Sequence, residues 1–185
     1  MYGYIVGVVT KITPKNIIIE NHGIGYLLIV SNPYNFSMNQ EYKVFLHQYV
    51  REDIIDLYGF QQEEEKDLFL KLLSVSGIGP KSALSILATG TVSEIVKAIE
   101  TRNDTYLRKF PGIGAKASQQ IILDLKGKLN LVEEPNFQNT KLEDVEQALL
   151  ALGYNKKEIG KVLPKLDQTQ DEGILVKQAL QALVK

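Results

Sequence analysis

Apolar positions change their spacing once along this chain, near residue 62. Before that point they fall in short runs rich in β-branched and aromatic residues: Tyr4–Val9, Asn16–Glu20, Gly25–Val30, Tyr42–Val50 and Ile54–Phe60. Side chains of those types suit a pleated, extended backbone. Turn-forming clusters separate the runs, at Thr13-Pro14-Lys15-Asn16, Asn21-His22-Gly23 and Ser31-Asn32-Pro33. Five short strands over residues 1–62 predict a small closed barrel of the OB type. Most of the tyrosines lie in this segment. Tyrosines on strands can stack on bases, but packing of the barrel is the expectation adopted for them.

From residue 63 the apolar period becomes helical. Leu68, Phe69, Leu72 and Leu73 make one stripe, and Ala83, Leu84, Ile86 and Leu87 a second. Thr91-Val92-Ser93-Glu94 has the form of a capping box opening a helix through Ile95, Val96, Ala98 and Ile99. Tyr106, Leu107 and Phe110 follow, and Ile121, Ile122 and Leu125 close a helical segment over 63–126. The period breaks over 127–139, where Gly127, Glu133-Glu134-Pro135-Asn136 and Gln138-Asn139 predict a polar, mobile linker. Residues 140–185 resume as three short helices, a UBA-like bundle. Its cues are capping boxes at Thr140-Lys141-Leu142-Glu143 and Asn155-Lys156-Lys157-Glu158, with Leu152-Gly153-Tyr154 between the first two helices. The bundle's expected core is Val145, Leu149, Leu152, Ile159, Val162, Leu163, Ile174, Leu175, Ala179, Leu180 and Leu183. The fold class is therefore α+β and multidomain.

The 63–126 segment holds two near-copies of one pattern. The first reads Val75-Ser76-Gly77-Ile78-Gly79-Pro80-Lys81-Ser82-Ala83, the second Phe110-Pro111-Gly112-Ile113-Gly114-Ala115-Lys116-Ala117-Ser118. Each predicts a helix, a tight Gly-Ile-Gly hairpin and a second helix. Glycine tolerates φ > 0 and lets another backbone approach closely. The amides that then open a helix, at 79–82 and 114–117, have no intrahelical partner and carry the positive end of the dipole. Lys81 and Lys116 stand in the same register and can add a charge-assisted contact. Pro80 suits a first helical turn. One Gly-x-Gly alone would be an ordinary glycine-capped turn. Two copies sharing the isoleucine, the lysine register and the apolar flanks predict a doubled helix-hairpin-helix module that binds DNA backbone rather than base sequence. The candidate DNA-binding residues are Gly77, Ile78, Gly79, Lys81 and Ser82, with Gly112, Ile113, Gly114, Lys116 and Ala117.

The formal net charge of −1 excludes a broad basic coating, so phosphate contacts must be local. The chain has no cysteine and two histidines, which excludes disulfides and a conventional zinc site. No metal and no cofactor is expected. His22 and His47 read as turn or surface residues. No run is long enough to span a bilayer, and the Met1-Tyr2-Gly3-Tyr4 start lacks signal-peptide features, so a cytoplasmic location is expected. The sequence contains no Gly-x-x-x-x-Gly-Lys-Ser/Thr phosphate loop. A helix-hairpin-helix glycosylase or nuclease would need a reactive lysine or aspartate, or clustered acids. Asp124 reads as a solvated helix residue, and Glu63-Glu64-Glu65 as acids matched to a helix start.

The order barrel, doubled hairpin, acidic linker, three-helix bundle resembles the RuvA family of bacterial Holliday junction branch-migration proteins. Met1–Gly7, Gly23-Ile24-Gly25-Tyr26, Val50-Arg51-Glu52-Asp53 and Leu57-Tyr58-Gly59-Phe60 carry the resemblance together with the hairpins. It covers essentially the whole chain. The resemblance implies a homotetramer, single or as a face-to-face pair, lying on a four-way DNA junction in recombination, DNA repair and the SOS response. It makes Glu52 and Asp53 an acidic pin at the four-fold centre; residue types alone read them as a solvated turn. It implies that the bundle docks the RuvB motor ATPase, that this chain is non-catalytic, and that a junction resolvase joins a larger complex. One departure stands out. Many members carry a second lysine where this chain has Ala115 and an arginine near Gln120; here Ala115, Gln119 and Gln120 are uncharged, and Arg108 and Lys109 just before the hairpin are the compensating charges. The alternatives left open are a DNA repair enzyme and a generic DNA-binding scaffold.

Overall fold

Alternation of buried and exposed positions along β1 (Tyr4–Ile12) sends Ile5, Gly7 and Val9 inward and Tyr4, Val6 and Val8 outward. The computed structural model describes residues 1–129, 141–166 and 170–183. Four further strands, β2 (Asn16–Asn21), β3 (Ile24–Val30), β4 (Glu41–Val50) and β5 (Ile55–Phe60), close with β1 into a barrel of order β1-β2-β3-β5-β4. Only the β3–β5 pair is parallel. Val9, Ile17, Ile19, Leu28 and Val44 are fully buried and fill the interior. β1 passes so close to β2 that a Cβ on Gly7 would sit 2.3 Å from the Glu20 carbonyl oxygen. His22 (φ 49°) and Gly23 (φ 80°) make the two-residue turn between β2 and β3 with both φ positive, the type I′ geometry whose twist matches the strands. The expectation that the tyrosines serve packing holds in part: Tyr26 and Tyr42 pack against the barrel core, and Tyr49 and Tyr58 belong to the core shared with the helices. Tyr58 is buried, but Tyr2, Tyr4 and Tyr34 are exposed and Tyr26, Tyr42 and Tyr49 half-buried. A five-stranded barrel is too narrow for rings with a polar tip, so aliphatic side chains take the inside.

The helical segment comprises α1 (Glu63–Leu73), α2 (Pro80–Thr89), α3 (Val92–Glu100), α4 (Asp104–Leu107) and α5 (Ala115–Leu125). The Glu65 carboxylate accepts from the Gln61 and Gln62 amides at the start of α1, at 3.1 and 3.3 Å. Thr91 and Glu94 form the reciprocal capping box that opens α3. These helices share a core with the outer side of the barrel. Tyr58 and Phe60 point away from the barrel interior and meet Phe69 of α1 at ring separations of 5.1 and 5.0 Å. The barrel and the helices thus form one unit, Met1–Val132, and the bundle another, Glu133–Lys185. Rigid seating of the helices on β5 holds both hairpins in place. Among the described residues no single helix is long and apolar enough to cross a membrane.

His47 of β4 lies edge-on to Phe69 at 5.9 Å. Burial first, and then the Lys66 ammonium, hold its pKa below the ordinary imidazole value. Folding therefore favours the neutral ring, and its contribution is present above the unfolded pKa and lost as pH falls through the folded one. The first unit should melt at a lower temperature when pH is taken from about 7 to about 5, and His47→Gln should shrink that drop in a thermal scan.

Gly127 and Leu129 fall within the polar segment read from the sequence, yet both are tied to the first unit, Gly127 by a hydrogen bond and Leu129 by burial. The Gly127 amide donates to Glu100 Oε1 at 2.8 Å, and Leu129 is buried in the core of the first unit. Residues 130–139 of that segment, and Thr140 of the first capping box, lie outside the described residues.

The bundle consists of α6 (Lys141–Ala151), α7 (Lys156–Val162) and α8 (Glu172–Leu183) around Val145, Leu149, Ile159, Val162, Leu175 and Ala179. The Asn155–Glu158 capping box opens α7. Two expected core members lie outside the core: Leu152 is 60% exposed and Ile174 48%. Helix α6 ends in a Schellman motif. The Gly153 amide donates to Leu150 O and the Tyr154 amide to Leu149 O, with Gly153 at φ 94°. That turn swings Leu152 out and brings Tyr154 against the core in its place. On α8 the packed stripe runs through Leu175, Val176, Ala179, Leu180 and Leu183, so Ile174 lies beside it.

Candidate nucleic-acid interface

The two hairpins repeat one another bond for bond. In the first, the Ile78 amide donates to Val75 O at 3.1 Å; in the second, the Ile113 amide donates to Phe110 O at 3.0 Å. Gly77 and Gly112 take φ of 83° and 81°, a conformation that costs any other L-residue energy. Gly79 and Gly114 are different. They are N-caps in ordinary extended backbone, at φ −99° and −87°, and a Cβ on either would meet nothing within 4 Å. The fold does not require glycine at those two positions, which leaves open space beside each N-cap. Neither cap supplies a side-chain acceptor. The first i→i−4 bonds come only at Ala83, to Gly79 O, and Ser118, to Gly114 O. The amides of Lys81, Ser82, Ala115, Lys116 and Ala117 precede them in the open first turn. Pro80 has no N–H, so the first helix offers one amide fewer than the second.

Ile78 and Ile113 are buried in the shared core, so they anchor the turns from beneath and can reach DNA only through their backbone. Lys81 and Lys116 are exposed, and among the described residues neither is in an ion pair. Ser82 is half-buried, with its hydroxyl oxygen 3.8 Å from where a Cβ on Gly112 would lie. The hairpins therefore adjoin. A groove of about 450 Å³ runs between them, lined by Ser76, Gly77, Gly114, Lys116, Ala117 and Gln120. Ser76 escaped the sequence reading because its counterpart in the repeat is Pro111.

Neighbouring groups are already engaged. The Gln120 side chain donates to Asp124 Oδ2 at 2.9 Å, which ties up that acid. Arg108 pairs with Asp104 at 3.1 Å, and Lys109 stands over the Tyr106 ring at 5.6 Å. Arg108 is thus less free to replace the absent cations than its position in the sequence suggests. Among the described residues no three His, Asp or Glu side chains are grouped to hold a metal.

Glu52 and Asp53 form the tip of the β4–β5 hairpin. The turn is closed by Arg51 N to Ile54 O at 2.8 Å and Ile54 N to Arg51 O at 3.4 Å. Both carboxylates are exposed, and among the described residues neither has an ion-pair partner. The Arg51 Nε donates to Tyr49 Oη at 3.0 Å, with the guanidinium 5.1 Å from the ring centre.

A five-stranded closed barrel bearing two adjoining Gly-Ile-Gly hairpins defines a tandem helix-hairpin-helix protein built on an OB-type barrel. Family models agree segment by segment: RuvA N terminal domain over residues 1–59, SAM-like helix-hairpin-helix tandem over 69–127, and RuvA C-terminal domain over 140–184. The chain is 52% identical over 187 residues to a protein of Acholeplasma laidlawii (strain PG-8A), with both chains covered in full. It is 48% identical over 197 residues to one of Streptococcus pneumoniae (strain Hungary19A-6), again over the full length of each. Both relatives are named Holliday junction branch migration complex subunit RuvA. The chain belongs to the RuvA family.

Proposed function

We propose that this chain is the junction-binding subunit of a branch-migration complex. Four copies hold a four-way junction flat and open, and each grips DNA backbone through its two hairpins. The supporting observation is the pair of glycine N-caps whose missing Cβ the fold itself does not need. A phosphate set there receives first-turn amides and the positive helix end, and Lys81 or Lys116 supplies the charge. These contacts carry no base information, so selectivity must come from shape.

Glu52 and Asp53 supply the shape filter in this reading. A carboxylate about 5 Å from a phosphate costs roughly 1 to 3 kcal/mol, depending on how far water screens the pair. At the centre of an open junction the strands can part around the tips; a continuous duplex or a folded crossover cannot avoid them. The barrel, residues 1–62, would form the junction centre and subunit contacts. The 63–126 module would hold the arms, and the 140–185 bundle would dock the RuvB ATPase. The chain itself would be non-catalytic, with strand exchange driven by the partner and a resolvase acting on the held junction.

The test is competition at near-physiological salt between labelled four-way junction and unlabelled duplex of the same composition. Junction binding should survive large duplex excess. Glu52→Gln/Asp53→Asn should bind duplex more tightly and lose much of the preference, because a repulsion against the wrong ligand is removed. Equal competition by duplex in the unaltered protein would reject the junction reading. An unchanged preference in the double variant would reject the pin.

A further inference from the structure

The acidic hairpin reaches past the end of the barrel, and its stem is apolar. Along β4, Val44 and Leu46 face the barrel interior, and the two-residue period continues that side through Gln48 to Val50. Ile55 of β5 stands opposite Val50 in register. The pair lies on the core side of its strands, yet Val50 is 56% exposed and Ile55 77%. Nothing in the first unit covers it. Ile54, beside the turn, is a further 38% exposed.

DNA is the wrong occupant for this surface. Phosphates gain nothing from apolar side chains, and Glu52 and Asp53 beside the pair repel them. The charges at the tip point to a second copy of the chain instead. Arg51 is positive and Glu52 and Asp53 negative, and among the described residues none of the three has an ion-pair partner of its own. Arg51 has its Nε committed to Tyr49 Oη, which leaves its two NH₂ groups for a carboxylate outside the chain. Opposite charges on adjacent residues of one exposed turn complement themselves when copies are arranged head to tail around an axis.

We infer that Val50, Arg51 and Ile55 form a seam between copies of this chain, with Arg51 of one copy meeting the Glu52–Asp53 tip of the next. The inference rests on the tetramer proposed above and deepens it. Converging carboxylate tips would otherwise drive the copies apart; the apolar pair supplies attraction and the arginine offsets the repulsion. An exposed ion pair contributes little alone, so the apolar pair carries most of the association.

Sedimentation of the full chain, with and without four-way junction, decides it. Ile55→Asp should weaken self-association at least about tenfold, as expected for a central apolar contact. Its circular dichroism and melting should stay unchanged, because Ile55 is 77% exposed and belongs to neither core of the first unit. Arg51→Glu should weaken association less, and Arg51→Glu combined with Glu52→Arg should restore it. Wild-type assembly by both Ile55→Asp and Arg51→Glu would overturn the seam while leaving the tetramer standing. An unaltered chain that stays monomeric even on junction DNA would overturn both. Failure of the charge swap to restore association would remove Arg51 from the seam.

Discussion

A Gly79→Asp/Gly114→Asp protein should lose junction affinity by at least about a hundredfold while folding as well as the unaltered chain, or better. The two effects have opposite signs because one set of amides is used twice. Both glycines are N-caps in extended backbone with open space where a Cβ would go. Aspartate is among the best N-caps, since its carboxylate accepts from first-turn amides. Its charge also favours a helix start by about 0.3 to 1 kcal/mol. Stability should therefore hold or rise by up to about 1 kcal/mol. The same carboxylate would occupy the place proposed for the phosphate and repel it. Gly77→Asp and Gly112→Asp are the contrast: at φ of 83° and 81° they strain the backbone by about 1 to 2 kcal/mol each, so melting should fall along with binding. Thermal unfolding and gel-shift competition on the two pairs separate a site that binds from a turn that merely folds. Wild-type affinity in the N-cap pair would exclude the hairpins as the phosphate site.

Which glycine of each hairpin serves the fold and which leaves room for a ligand was not legible in the sequence. Both stand in the same Gly-Ile-Gly string, and only backbone angles distinguish them. The strands, the switch to helical period and the repeat were legible, because each is a local pattern. The packing of the barrel on the helices was not. Tyr58 and Phe60 read as strand aromatics, and alternation does not say whether an outward face meets water or Phe69. Leu152 had the right spacing for the bundle core and lost its place to Tyr154 through a Schellman turn, which no periodicity describes. The Glu52–Asp53 tip is the extreme case. Arg51-Glu52-Asp53 is an ordinary solvated turn by residue type, and the role proposed for it depends on where other copies and DNA would stand.

Ending the chain after residue 139 should leave junction affinity within about threefold of the unaltered protein and abolish stimulation of RuvB-driven branch migration. Each unit has a core of its own, and that of the bundle is built from Val145, Leu149, Ile159, Val162, Leu175 and Ala179. The first unit should therefore keep its core when the bundle is removed. Truncation also removes no net charge that could attract DNA, since lysines and acids are equal in number over 140–185. What it does remove is exposed apolar surface, with Leu152 and Ile174 both largely in water. Such side chains on an otherwise polar bundle suit a protein partner rather than phosphates. Leu152→Asp/Ile174→Asp in the full chain should accordingly reproduce the loss of stimulation with the bundle still folded by circular dichroism. Loss of junction affinity beyond tenfold on truncation would instead make the bundle part of the DNA grip, and the division of labour between the two units would fail.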